Sequence, residues 1–231
     1  MPYTLRVTIN PPELGWLVEN QFKLCISRET NGEYTAIWRC KELAGNISRP
    51  AILITEIQSF FWDEDFSAFW SREFRSGQRV EEGCNPSVLP MVRVVPSALV
   101  AISLTIYWIL GQSAVINLNS SMDPATGEPD NSGKFTIINK YQGALHIGLK
   151  SKLNGEWGVC YVSSKEVPND AEATLTPRTT IQVWLEQMAQ SHSMISSIPS
   201  SAIKVDYDGA VEHSITFTGT GKGDGKWEKE M

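Results

Sequence analysis

The sequence predicts an all-β protein: a β-sandwich, or two similar sandwich units, arising from an internal duplication, with one short amphipathic helix inserted in the first half. Three observations lead there. Apolar and polar residues alternate over several short runs, the period of strands with one buried face. Asn-Gly turn signals stand inside two of those runs, one in each half. A stretch of Asn, Asp, Ser, Pro and Gly, Asn117–Gly133, divides the chain near its middle.

The duplication signal centres on Leu145–Tyr161. Leu145, Ile147 and Leu149 alternate with His146, Gly148 and Lys150. Asn154-Gly155 then tolerates the positive φ of a tight hairpin turn, and Trp157, Val159 and Tyr161 resume the alternation. Earlier, Phe22, Leu24 and Ile26 alternate, Asn31-Gly32 follows, and Tyr34, Ala36 and Trp38 return. Asn154 lies 123 residues after Asn31 (154 − 31), and the two hairpins align without a gap. This register predicts two copies of one β unit.

The remaining elements follow in chain order. Tyr3–Ile9 is a first strand, ended by Pro11-Pro12 because proline cannot donate to a ladder. A strand begins at Ala51 after the first hairpin. Gln78–Val80, Met91–Val95 and Leu99–Leu110 are further strands. The last two belong to an apolar run, Val88–Leu110, that approaches the length of a membrane span. Pro90, Arg93 and Pro96 interrupt it, so buried strands are expected instead. In the second half, Phe135–Asn139 resembles Arg6–Asn10. Thr176–Gln187 is a strand with Ile181, Val183 and Leu185 on one face, matched to Pro50–Ser59 in the first half. A Ser-rich loop, Ser191–Ser201, precedes strands at Ile203–Tyr207 and Ser214–Thr218. The domain reading is a first β unit over 1–116, a linker or surface loop over 117–133, a second unit over 134–220 and a fraying tail over 221–231.

Phe60–Phe74 departs from this pattern. Trp62, Phe66, Phe69, Trp70 and Phe74 recur at three- and four-residue spacing, the helical period. Asp63, Glu64 and Asp65 would fall in the first turn, and Arg72 and Arg75 near the end, as the helix dipole favours. A helix over 60–75 is therefore expected, plugging the end of a sandwich or walling a pocket.

Composition excludes several functions. The net charge of −6 and the lack of a basic run argue against nucleic acid as a partner. The four cysteines (Cys25, Cys40, Cys84, Cys160) show no metal-ligand spacing, so no metal and no cofactor is expected. The N-terminus lacks a charged region followed by an apolar one, which points to reduced thiols and a cytoplasmic setting, with a mature secreted chain trimmed of its signal as the alternative. The tail glycines lack the Walker pattern. Of the three histidines, His146 reads as a solvated strand residue, His213 as surface, and His192, in a polar loop, as a candidate general base.

The function expected is ligand binding, lectin-like or membrane-active, through aromatic and acidic residues. Trp62, Trp70, Glu73, Arg75 and Trp157 are the candidate ligand-binding positions, and the partner is a small molecule or glycan. Lipid contact is the least favoured option, since the aromatic segment starts with three acids. A further reading is a structural or assembly protein whose exposed edge strands pair, and a homodimer is among the expected partners. The alternative is a cofactor-free isomerase, cyclase or hydrolase acting on a small apolar substrate between the two units. Asp63, Asp65 and His192 would then be its acid–base groups. Trp38, Trp108 and Trp184 read as structural.

Overall fold

A computed structural model describes residues 2–44, 56–82, 111–128 and 132–229. The expected strands Met91–Val95 and Leu99–Leu110, the whole run Val88–Leu110, most of the strand from Ala51, and Cys84 and Trp108 lie outside the described residues. The first half supplies β1 (Tyr3–Ile9), α1 (Pro11–Glu19), β2 (Lys23–Thr30), β3 (Arg39–Glu42), β4 (Glu56–Trp62), β5 (Phe66–Ser71) and β6 (Ser113–Ile116). The second supplies β7 (Phe135–Asn139), β8 (His146–Leu153), β9 (Glu156–Val162), β10 (Glu172–Leu175), β11 (Pro177–Glu186), β12 (Ile203–Val205), β13 (Glu212–Thr218) and β14 (Lys226–Lys229). The described protein is therefore mostly β. None of its described helices is long and apolar enough to cross a membrane.

The strands form four sheets, ordered β14-β13-β1-β4, β10-β7-β6, β12-β11-β2-β3 and β5-β8-β9. Every sheet takes strands from both halves. β1 runs parallel to β13, and β6 runs parallel to β7. One apolar core joins all four sheets: Leu5, Val7 and Phe60 from the first, Ile116, Phe135 and Ile137 from the second, Leu24, Ile26 and Ile181 from the third, and Phe66, Ile147 and Leu149 from the fourth. These are the inward members of the alternating runs, and burying each contributes about 1.5–3 kcal/mol.

The aromatic segment is not a helix. Phe60 and Trp62 point into the core from β4, with Phe61 outside, and Phe66, Ala68 and Trp70 do so from β5. Asp63, Glu64 and Asp65 form the turn between these strands. All six residues of β5 are buried, because Phe69 faces a second layer with Val159, Val162 and Met194. A strand covered on both faces loses its alternation and reads as a continuous apolar run, which mimics helical spacing. The helix that does form, α1, starts at the prolines assigned to a strand end. Proline suits the first helical turn, where no N–H is needed. Leu14 and Leu17 bury its inner side.

Three further expectations change. The tail does not fray from Gly221: β14 pairs with β13, and Trp227 packs 4.8 Å from the Phe217 ring. Residues 117–128 fold back along β6 through Ile116–Met122 and Ser113–Thr126 bridges, burying Met122. His146 is buried, its Nδ1 2.8 Å from the Ser163 carbonyl oxygen. Trp38 and Trp184 are core residues as expected.

Both Asn-Gly turns form with positive φ at each residue: 55° and 79° at Asn31-Gly32, 54° and 81° at Asn154-Gly155. Each asparagine also clamps a strand of the opposite half. The Asn31 side-chain amide donates to the Thr174 carbonyl (2.9 Å), and its Oδ1 accepts from the Thr176 N–H (2.7 Å). Its backbone N–H donates to the Thr176 carbonyl (3.1 Å). Asn154 repeats this on β4: amide to the Ser59 carbonyl (3.3 Å), Oδ1 from the Phe61 N–H (2.8 Å), backbone N–H to the Phe61 carbonyl (2.8 Å). The strand pairing follows the same register. Lys23–Arg28 of β2 pair in order with Glu186–Ile181 of β11, and His146–Ser151 of β8 pair in order with Ser71–Phe66 of β5.

Arg28 lies where the two hairpins meet, with no solvent exposure. Its Nε donates to the Arg178 carbonyl (2.8 Å) and its Nη1 to the Ser151 hydroxyl (3.3 Å). The guanidinium sits 4.5 Å from the Phe66 ring centroid, an attractive arrangement for a cation over a π face. Glu64 approaches Nη2 at 3.9 Å, and Nη2 has no hydrogen-bond acceptor among the described residues. Burial pulls the Arg28 pKa down.

Two predictions follow from this packing. Asn31→Gly and Asn154→Gly keep the turn conformation and remove the clamp, so each is expected to cost about 1–2 kcal/mol in urea unfolding, with the two costs similar. A negligible cost at either site would mean that clamp does not hold the halves together. Arg28→Met keeps the stem volume and removes a buried charge. Its stability is expected to stay level or rise by about 1–3 kcal/mol, whereas Arg28→Ala loses about 3 kcal/mol through its cavity. Equal losses in both variants would show that the charge itself stabilises the junction.

Candidate functional site

A pocket of about 560 Å³ opens beside the first hairpin. Glu33, Tyr34 and Thr35 enter it from the chain just after the Asn31-Gly32 turn. Phe74 comes from the segment after β5, Ser164 from the segment after β9, and Gln182 from β11. The loop 195–202 forms its rim with Ile195, Ile198 and Pro199 and several serine hydroxyls. Five separated segments thus build one concavity, and both halves contribute.

Main-chain bonds hold these pieces in place. The Ile195 N–H donates to the Thr35 carbonyl (2.9 Å), the Val162 N–H to the Thr35 hydroxyl (3.1 Å), and the Ser196 N–H to the Ser76 hydroxyl (3.1 Å). Tyr34 donates its hydroxyl to Glu29 (2.8 Å), and Lys204 pairs with the same carboxylate at 3.2 Å. Burial, and then that hydrogen bond, push the Tyr34 phenol well above its usual pKa. Its ring is therefore a neutral, fixed wall. The Ser164 hydroxyl donates to Glu33 (3.3 Å). The Gln182 side-chain oxygen is buried and lacks a donor among the described residues. Among the described residues Glu33 is the single charged one in the lining, which otherwise combines aromatic and aliphatic surface with hydroxyl and amide groups. A second, shallower depression, about 620 Å³, lies among Asn117, Leu118, Asn119, Lys140, Gln142, Asn169 and Asp170. It has no aromatic wall, and a Lys140–Asp170 ion pair occupies its edge.

The candidate residues named from sequence are distributed over several places. Trp62 and Trp70 are core residues at 1% and 2% exposure, so neither offers a face to a ligand. Trp62 packs against Tyr3, Trp38 and Tyr207, and Trp70 stacks on Tyr141 while donating its Nε1–H to the Ser120 carbonyl. Glu73 and Arg75 are exposed and paired at 2.8 Å, flanking Phe74 in sequence. Trp157 is half-buried, with the Lys152 ammonium 5.0 Å from its ring centroid. Lys152 pairs with Asp65 at 3.2 Å, and Asp63 is exposed in the turn before it.

His192 occupies a left-handed position, φ 66°, and its imidazole lies against the Gly158 backbone, which the Trp38 ring also approaches. Its N–H donates to the Ile37 carbonyl (2.7 Å), and its carbonyl accepts from Val80 (2.9 Å). Burial, then the Arg79 and Arg39 charges, hold its pKa below the usual value. Beside it, Arg39 hydrogen-bonds Glu156 and lowers that carboxyl's pKa. The acid–base candidates are tied to different partners: Asp65 to Lys152, His192 to the Gly158 backbone. Among the described residues no group of three or more His, Cys, Asp or Glu side chains is placed to hold a metal ion.

Sequence reading missed Tyr34 as a pocket wall, together with Phe74, Ser164 and Gln182. Tyr34 carried a signal, since it stands just after the Asn31-Gly32 turn. The others meet it only through the tertiary fold.

A depressed histidine pKa has a definite stability consequence. The neutral imidazole is the folded form, so the contribution of His192 is complete above the ordinary pKa of about 6.5 and is lost as the pH falls toward its own lower value, because the unfolded chain takes up the proton first. Asparagine tolerates the left-handed backbone, so His192→Asn is the comparison. The wild-type protein is expected to lose stability relative to this variant between about pH 6.5 and 5, measured by thermal unfolding. A difference that stays constant over that range would contradict the assignment. No protein-family model, curated protein or solved structure matches this chain.

Proposed function

We propose that the protein binds a small, neutral, polyhydroxylated ligand, a short glycan, in the Tyr34–Phe74 pocket, and that this pocket rests on a duplicated β unit whose copies have interlaced into a sandwich. The carrying observation is the lining: two aromatic side chains beside one carboxylate, with hydroxyls and an amide on the remaining walls. Sugar C–H faces pack on aromatic rings, while sugar hydroxyls need acceptors and donors of this kind. The volume falls in the range of small-molecule sites. Among the described residues the lining carries no lysine or arginine, which disfavours an anionic ligand.

The duplication is supported by register. A shift of 123 residues carries β2 onto β8 and the Asn31 turn onto the Asn154 turn. A shift of 115 (181 − 66) carries β5 onto β11 and the Ser59–Phe61 clamp site onto Thr174–Thr176. On this reading the counterpart of β11 is β5, and Pro50–Ser59 is not its match. The glycan reading is preferred over lipid contact because Ile57 and Phe61 on the outer face of β4 are the one pair of exposed large apolar side chains on a common element among the described residues, while Leu118, Met188 and Val211 stand apart. A second reading, a cofactor-free enzyme, draws on the same pocket being walled by both halves, with Glu33 as its carboxylate.

Screening the protein on a glycan array and titrating the best ligand by calorimetry tests the proposal. Phe74→Ala is expected to weaken binding about tenfold or more, the equivalent of about 1.4 kcal/mol. Glu33→Gln is expected to weaken it less, and Trp157→Ala to leave it unchanged. Binding that survives Phe74→Ala, or binding to phosphatidylcholine–phosphatidylserine vesicles with no glycan response, would overturn the site. Turnover of the bound glycan would favour the enzyme.

A further inference from the structure

We propose that Cys25 and Cys40 form a reversible cross-strand disulfide, a modification site independent of the ligand pocket. The two residues are direct partners in the antiparallel β2–β3 ladder. Their sulfurs lie 2.9 Å apart as free thiols. A disulfide needs about 2.05 Å between sulfurs, so side-chain torsion alone closes the gap and the ladder register stays intact. The neighbourhood fixes the pair on both sides. Cys25 has no solvent exposure and pairs across β11 with Trp184 in a satellite apolar cluster. Cys40 is half-exposed and is anchored by Ser191, which accepts from its N–H at 2.7 Å and donates to its carbonyl at 3.3 Å. One accessible thiol beside one shielded thiol is the arrangement of an attacking and a resolving pair. Cys160, by contrast, is buried with its thiol donating to the Leu149 carbonyl at 3.4 Å.

The oxidant is a small-molecule disulfide such as oxidised glutathione. The Cys40 thiolate attacks one of its sulfurs, breaking that S–S bond, forming a mixed disulfide and releasing one glutathione thiolate. The Cys25 sulfur attacks the Cys40 sulfur, the Cys40–glutathione bond breaks, and the Cys25 proton passes to the departing glutathione sulfur, so the second glutathione leaves as a thiol. The protein gives up two protons and two electrons, and one disulfide becomes two thiols. The closed loop spans the first hairpin turn, so oxidation restrains the segment that carries Tyr34 and leads into β3 at Arg39.

The test uses the full chain equilibrated in glutathione buffers of graded potential, quenched with acid, alkylated and mapped by mass spectrometry. The expected result is a peptide pair joining Cys25 to Cys40, reversed by dithiothreitol, with the unfolding equilibrium constant of the oxidised form reduced roughly 100-fold, as a loop of this length implies. Cys40→Ser, at the half-exposed position, is expected to fold and to lose this redox dependence of stability. No linked peptide in the most oxidising buffer, or linkage of either residue to Cys84 or Cys160 instead, would overturn the proposal. So would an unchanged redox dependence in Cys40→Ser.

Discussion

Two asparagine side chains tie the halves of this protein to each other. Each sits in a tight turn that demands positive φ, which asparagine tolerates better than most residues, and each spends its amide on the main chain of a strand from the opposite half. The turn chemistry and the long-range contact are therefore carried by one residue. Because β2 also pairs with β11 and β8 with β5, each hairpin is placed by strands of the opposite half. The parallel pairs β1–β13 and β6–β7 extend the same dependence to the ends of the chain and to its middle.

That interlacing explains the buried Arg28. When two hairpins cross, one residue from each must meet at the crossing point, and here they are Arg28 and Ser151. A fully desolvated guanidinium is costly unless its donors are used and its charge is answered. The Arg178 carbonyl, the Ser151 hydroxyl, the Phe66 ring and the distant Glu64 carboxylate do so incompletely. The pocket arises from the same geometry further out, where the returning strand of the first hairpin separates from β2 and the loop 195–202 closes over Tyr34 and Thr35.

The aromatic stretch Phe60–Ser71 shows how a local pattern misleads when both faces of a strand are covered. Phe66 and Trp70 face the main core and Phe69 faces the second layer, so the alternation that identifies a strand is erased and spacings of three and four remain. The acids that looked like a helix cap are turn residues between two strands. The same burial removes Trp62 and Trp70 from the surface, which is why the most conspicuous tryptophans do not line the pocket.

Several features were set by the sequence alone: the β character, from alternation; both tight turns, from Asn-Gly; and β11, from its inward Ile181 and Val183. These depend on contacts within a few residues, where turn stereochemistry and period dominate. The tertiary structure decided what depends on distant partners: which strand each hairpin joins, that β14 pairs where a loose tail was expected, that His146 is buried, and that Tyr34, Phe74, Ser164 and Gln182 share one cavity. Strand pairing across more than a hundred residues leaves no local trace, because the hydrogen-bonding groups it uses belong to the backbone and are the same for every residue but proline.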